Sequence, residues 1–376
     1  MPVFNVRKDL SLIMVADVMG NVNSMVTDAQ KSGALLGLDV KSRGMLKQSS
    51  RFSFRSLAPA MENVMLVCES KKEDAVIQQA IHSCGIHEGA VGAVLKVPVK
   101  RVWTTDFKLR EVEQSNPSIP VVEPHSLDAD LHLITCICQR GKAEKIAAAA
   151  IREGSASPII NFGEGKGVRD RMGMLKIAVN PEKEIINVVT DDLEGERTFD
   201  AMVEAGKLYT PGMGFIYYTQ IPSGVVNLHT SISASHSEAT PEQIIKAIDE
   251  LKGSKRWRIA QAGIISETHV ERKDLKDLTK LRLVISRGHG DAMIYSAMHN
   301  GAQGATRSYA NLLGGEQIYS NSGREINDEK EVIDFHVPPD NVDKLVKAFE
   351  ETAADIDVTN ALIAEIPVPR ALTYLG

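Results

Sequence analysis

The residues best suited to chemistry in this sequence are glycines and lysines, and they gather between positions 163 and 214. Gly163-Glu164-Gly165-Lys166-Gly167 alternates glycine with charge, Gly206-Lys207 follows, and Gly212-Met213-Gly214 closes the set. Glycine lets backbone N–H groups approach phosphate oxygens closely, and successive N–H groups make a concave nest for an anion. Lys166, Lys207 and Lys142 can neutralise phosphate charge. A plainer reading uses the same residues. Gly163, Gly165 and Gly167 turn a hairpin, and Gly212 and Gly214 permit a kink before an inner strand.

Other candidates carry less. Arg287-Gly288-His289-Gly290-Asp291 has the look of a phosphate loop or a His–Asp pair. A His and an Asp two apart at a helix start ordinarily cap the helix instead. His229 and His236 lie in a polar connector, and no nucleophile is visibly paired with a base. Cys136 and Cys138 alternate inside an apolar strand, on one face, where buried thiols are common. Zinc would need a spacing such as C-x2-C with further ligands, so no metal site is expected. The sequence reads as a binding protein rather than an enzyme, with no catalytic residues to nominate.

The elements that must position these residues recur three times. Gly20/Gly33, Gly141/Gly154 and Gly288/Gly301 are each thirteen residues apart, and each pair encloses a helical stretch after a short apolar strand. A second apolar strand later ends in Val97-Pro98, Ile221-Pro222 or Ile366-Pro367. The unit, of about 95 residues, is too long for a solenoid repeat and right for a small domain. The middle copy is clearest. Leu131–Cys138 is a strand, Ala143, Ile146, Ala147 and Ala150 form one helical face, and Pro158–Phe162 is a second strand. Glu184–Thr190 is a third, Phe199, Met202 and Val203 mark a second helix, and Phe215–Ile221 is the last strand. In the third copy Val342, Leu345, Val346 and Phe349 keep the same helical period.

The order β-α-β-β-α-β defines an α+β class: three tandem ferredoxin-like domains packed as an intramolecular pseudo-trimer. The expected units are 1–103, 131–228 and 281–376, with linkers 104–130 and 229–280. The second linker carries a capping box, Thr240-Pro241-Glu242-Gln243, ahead of a helix. At 376 residues, 43% hydrophobic and 24% charged, the chain can bury real cores. A net charge of −6 gives no blanket attraction to nucleic acid or anionic lipid. No stretch approaches the roughly 20 apolar residues of a membrane span. The N-terminal residues lack a signal-peptide core, so a cytoplasmic protein is expected.

The middle copy resembles the nitrogen regulatory P-II family of signalling proteins. The likeness runs through Arg140-Gly141-Lys142-Ala143-Glu144-Lys145-Ile146, Phe162–Gly167, Pro181–Ile185, Glu204-Ala205-Gly206-Lys207 and Pro211–Gly214. The outer copies resemble it through His87-Glu88-Gly89-Ala90-Val91-Gly92 and Pro367-Val368-Pro369-Arg370. Family members are homotrimers of ferredoxin-like subunits that bind adenine nucleotides between subunits and control partner proteins through a mobile loop. The resemblance therefore implies a fused trimer, monomeric as a chain, with a small anionic ligand, an adenine nucleotide first, and a regulated protein partner. Its ligand residues would be Gly163, Gly165, Lys166, Gly167, Gly206, Lys207, Gly212, Met213 and Gly214 in the middle copy. Gly89, Gly92 and Arg101 from the first copy and Arg370 from the last complete the set.

The family's pattern is incomplete here. A lysine usually follows the glycines of the fourth-strand turn, where the middle copy has Phe215 and the first has Ala93, while the last copy has Thr359-Asn360-Ala361 in its turn and no glycines. The basic pair after the strand survives as Lys100-Arg101 in the first copy and as Arg370 alone in the last. That thin charge favours a mono- or dinucleotide or a smaller anion over three ATP sites. A ligand-free interaction scaffold, and then an enzyme acting on a small anion, are the alternatives. Tyr319 and the segment Arg51-Phe52-Ser53-Phe54-Arg55 are the loop residues of interest.

Overall fold

The computed structural model describes residues 4–18, 20, 22–45, 60–86, 90–105, 127–167, 181–227, 274–313, 328–356, 358 and 361–374. The first third runs β1 (Asn5–Arg7), β2 (Leu10–Val18), α1 (Val22–Lys31), β3 (Ala34–Gly44), β4 (Ala60–Glu69), α2 (Glu73–Ser83), β5 (Gly92–Val97) and β6 (Arg101–Thr104). The middle third is β7 (Asp128–Gln139), α3 (Ala143–Arg152), β8 (Ile159–Gly167), β9 (Glu182–Asp191), α4 (Asp192–Gly206) and β10 (Gly214–Asn227). The last is β11 (Leu275–Ser286), α5 (Gly290–His299), β12 (Gly304–Leu313), β13 (Glu329–Val337), α6 (Val342–Asp355) and β14 (Leu362–Thr373). The expected helix after Thr240, the His229/His236 connector, Gly89, Tyr319 and the 51–55 segment lie outside the described residues.

Local sequence explains the helices. Ala143, Ile146, Ala147 and Ala150 are buried on α3, and Val342, Leu345, Val346 and Phe349 on α6, so each helix lays one apolar stripe on the sheet. The Asp191 carboxylate caps α4 by accepting from the Glu194 N–H at 3.0 Å. The six glycines that bracket α1, α3 and α5 all have φ between +84° and +124°, where a side chain is strained.

The sheet corrects the expected fold. Three tandem ferredoxin-like domains would each hold a sheet of their own. Instead the described strands form one fourteen-stranded antiparallel sheet, with further pairings β14–β10, β12–β8 and β3–β8 that join it across its own ends. The cause is strand length. Glu164 is the last β8 residue paired with β9, and Glu164–Gly167 is paired instead with Arg307–Gly304 of β12. Backbone groups that outrun a local partner must find another or stay wet. Free strand edges are joined as well: Ser42–Gly44 of β3 pairs with Asn161–Ile159 of β8, which keep their β9 partners, and Asn311–Leu313 of β12 pairs with Asp39–Gly37 of β3, which keep their β4 partners. At the other strand ends β6 pairs β14, β14 pairs β10 and β10 pairs β5. Hydrogen bonding therefore runs from each third of the chain into the other two.

Strand alternation sorts side chains into two layers. Ile13 and Val15, Ile134 and Cys136, and Leu281 and Leu283 face helices in three separate cores. Their neighbours Leu12 and Met14, Leu133 and Thr135, and Lys280 and Arg282 face a chamber at the centre. All four cysteines are buried free thiols. No helix of the described residues is long and apolar enough to cross a membrane.

Candidate functional site

The glycine run of the middle third is not a turn. All four residues, Gly163, Gly165, Lys166 and Gly167, belong to β8: Gly163 is paired with Lys183 of β9, and Gly165, Lys166 and Gly167 are zipped to β12. A Cβ on Gly163 would lie 2.7 Å from the Arg307 carbonyl oxygen, so this glycine allows two backbones to close rather than a ligand to approach. The charge around it is already matched. Arg307 pairs with Glu164 at 2.5 Å and Asp291 at 3.1 Å, and Lys166 lies 3.8 Å from Asp291.

At the other end of the third, Gly206 closes α4 and Lys207 adopts the left-handed conformation at φ 51°. Gly212 (φ +73°) and Gly214 (φ +152°) form the expected kink into β10. Gly214 is indispensable, since a Cβ there would lie 2.3 Å from the Ile137 carbonyl oxygen. Met213 packs against the α3–α4 core. The Gln139 amide donates to the Gly212 carbonyl at 3.0 Å and ties this loop to the Gly141 turn. Gly141, Lys142, Lys207 and Gly212 are exposed together there. The α3 amides are taken, however: the Glu184 carboxylate accepts from Gly141 N–H at 2.8 Å and Ala143 N–H at 3.0 Å. Glu331 accepts likewise from Gly288 N–H at 3.1 Å.

The arginines nominated for phosphate are spoken for. Arg101 holds Glu365 at 2.6 Å and Asp343 at 2.8 Å, and stacks on Trp103. Arg370 pairs with Asp274 at 2.7 Å, Asp200 at 3.0 Å and Glu196, over the Phe199 ring. Both fasten one third to another. Gly92 begins β5, its α-carbon against the Ala16 carbonyl, where a Cβ would come within 2.9 Å. The structure thus brings the middle-third residues to two ends of one βα layer and places Gly92, Arg101 and Arg370 at other seams.

Sequence reading passed over the central chamber, of about 70 Å³. Equivalent strand positions in the three thirds carry different chemistry there. Met14 faces Met65, Thr135 faces Asn187, and Arg282 faces Asp334. The Arg282 guanidinium grips the Asp334 carboxylate through two bonds of 2.8 and 2.7 Å. Thr135 donates to the Asn187 carbonyl at 3.0 Å, and the Asn187 amide donates to that of Asn161 at 3.1 Å. Lys280 stands where Leu12 and Leu133 stand in the other thirds. It is 4% exposed, and among the described residues its ammonium donates one long 3.4 Å bond, to the Tyr217 hydroxyl.

The electrostatics follow from enclosure. Burial, helped by repulsion from Arg282, pulls the Lys280 ammonium down to about 7, with Asp334 opposing. Burial works against the Asp334 carboxylate too, but Arg282 outweighs it and holds Asp334 at about 2. Burial depresses His336 to about 3 and raises the Tyr217 phenol, so both are neutral at pH 7. The signal was present in the sequence as two alternating runs, Lys280-Leu281-Arg282 and Asp334-Phe335-His336, at positions apolar or neutral in the other copies. Among the described residues no group of three His, Cys, Asp or Glu side chains is placed to hold a metal.

No protein-family model matches this chain, and no curated protein matches it. Among solved structures it is matched with a microcompartments protein from Desulfitobacterium hafniense DCB at 11% identity. That match covers 64% of this chain and 96% of the other at a TM-score of 0.18, a value that carries no argument about fold or function.

Proposed function

We propose that this chain is a P-II-like regulatory protein that binds a small anionic ligand, an adenine nucleotide first, and thereby controls a partner protein. The observation that carries this reading is the loop pair of the middle third. Lys142 and Lys207 are exposed beside the open glycines Gly141 and Gly212, and neither makes an ion pair among the described residues. Two unneutralised ammonium groups on adjoining turns attract phosphate, whereas Arg101 and Arg370 hold carboxylates already. Two lysines match one or two phosphates at this pair of turns rather than three triphosphates.

A thermal-shift series with AMP, ADP and ATP, with and without magnesium, tests this. Ligand at 100 times its dissociation constant adds about 2.7 kcal/mol of stability. A rise in melting temperature that vanishes in Lys142→Ala/Lys207→Ala supports the proposal; no rise with any nucleotide removes it. The Arg101 and Arg370 clasps favour a second reading, a ligand-free interaction scaffold in which protein carboxylates sit where phosphates would. That reading predicts a protein indifferent to every nucleotide and destabilised by Arg370→Ala.

A further inference from the structure

We propose that the central chamber is a binding site for a small monovalent inorganic anion of the halide or nitrate class, held by Lys280 with hydroxyl groups of the opposite wall. This site is separate from the exposed lysine loops and stands or falls independently of them.

Charge balance within the chamber is the first ground. Arg282 and Asp334 neutralise one another through a two-bond pair, which leaves the Lys280 charge without a carboxylate of its own among the described residues. An uncompensated buried cation is costly, and nature ordinarily neutralises it, pairs it or supplies a counter-ion. Leu12 and Leu133 show that an apolar side chain fits this position, so packing does not demand a lysine.

The second ground is room. Arg282, which lines the chamber, keeps 27% of its side-chain surface accessible although it lies among the innermost strands. A volume of about 70 Å³ admits a halide or nitrate, or a few waters, but nothing the size of a nucleotide. Unused donors face it. Thr219 lines the wall with a buried hydroxyl that has no partner among the described residues, and Tyr217 offers its hydroxyl 3.4 Å from the Lys280 ammonium. An anion there would gather an ammonium and hydroxyl hydrogens, the charge-assisted bonds that hold best in a low dielectric.

Proton coupling gives the site a signature. The charged or titratable groups around Lys280 are Arg282 on its own strand, Asp334 and His336 on β13, and Tyr217 on β10; its β14 neighbour is Ile366. Of these only the lysine changes charge near neutrality. Anion entry therefore takes up a proton at neutral to mildly alkaline pH.

Bromide is the probe. Crystals of the full chain soaked in sodium bromide and measured at the bromine absorption edge should show a peak in the chamber beside Lys280. In solution, bromide should raise the melting temperature above that in sodium gluconate of equal ionic strength. Its binding enthalpy should vary with the ionisation enthalpy of the buffer. Lys280→Met, or Lys280→Leu if the first folds poorly, should weaken bromide binding roughly tenfold or more. Water alone in the chamber at high bromide, or an equal peak in the variant, overturns the proposal. The wild-type bromide-against-gluconate comparison decides the matter even if neither variant folds.

Discussion

Removing the Asp334 carboxylate tests how the centre of the molecule is held. In Asp334→Ala the Arg282 guanidinium stays enclosed with no counter-charge, a change that costs about 3–5 kcal/mol in buried pairs. Arg282 keeps partial contact with the chamber, which water can fill, so the lower end applies, about 3 kcal/mol. The carboxylate's own depression to about 2 from 3.8 gives a second estimate, roughly 2 kcal/mol. The sign is fixed by that depression. The stabilisation is complete above about pH 5 and is lost as pH falls toward 2. The repeat supplies the control. The first third carries Met14 and Met65 at the same two positions, so Arg282→Met/Asp334→Met replaces the ion pair by one this chain already packs. That double variant should unfold within about 1 kcal/mol of wild type, since well-packed apolar replacements of buried pairs are often neutral. Urea unfolding at pH 7 of wild type, Arg282→Met, Asp334→Met and the double variant measures the coupling, expected near 2 kcal/mol. A double variant as unstable as Asp334→Ala, or a single variant costing under about 1 kcal/mol, would refute the reasoning.

Gly214→Ala should cost several kcal/mol in thermal or urea unfolding, because its Cβ would meet the Ile137 carbonyl at 2.3 Å; Gly212→Ala, open on all sides, should cost only about 1 kcal/mol for its positive φ. Glu184→Ala strips Gly141 N–H, Ala143 N–H and Arg43 (3.2 Å) of their acceptor, and a loss of about 2–3 kcal/mol is expected in the same assay. Lys280 titrates lower in the folded chain than unfolded, so the unfolded chain binds the extra proton between about pH 7 and 10. Wild-type stability measured against Lys280→Met should rise with pH across that window by up to about 1.4 kcal/mol per unit, and a flat difference would contradict the assigned burial.

The helices and the order of elements were legible because each rests on short-range pattern. The stripes on α3 and α6 and the paired glycines around α1, α3 and α5 lie within a few turns of one another. The sheet was not, because pairing partners such as Glu164 with Arg307 or Arg101 with Glu365 sit far apart in sequence and leave no periodicity to read. That is why Gly163–Gly167 looked like a turn: alternating glycine and charge suits a phosphate nest and a tightly paired strand alike. The same distance hid the neutralisation of Arg101 by Glu365 and Asp343 of the last third, and of Arg370 by Asp200 and Glu196 of the middle third. Lys280 was missed for another reason. β11 starts at Leu275, ahead of its apolar run from Leu281, and a lysine at the margin of a strand reads as solvated.

Hydrogen–deuterium exchange with and without saturating ADP bears most directly on the proposed function. Slowed exchange confined to the Gln139–Lys142 and Lys207–Gly214 turns, absent in Lys142→Ala/Lys207→Ala, is the predicted result. Unchanged exchange at both turns, or protection centred on the Arg101 or Arg370 seams instead, would contradict it.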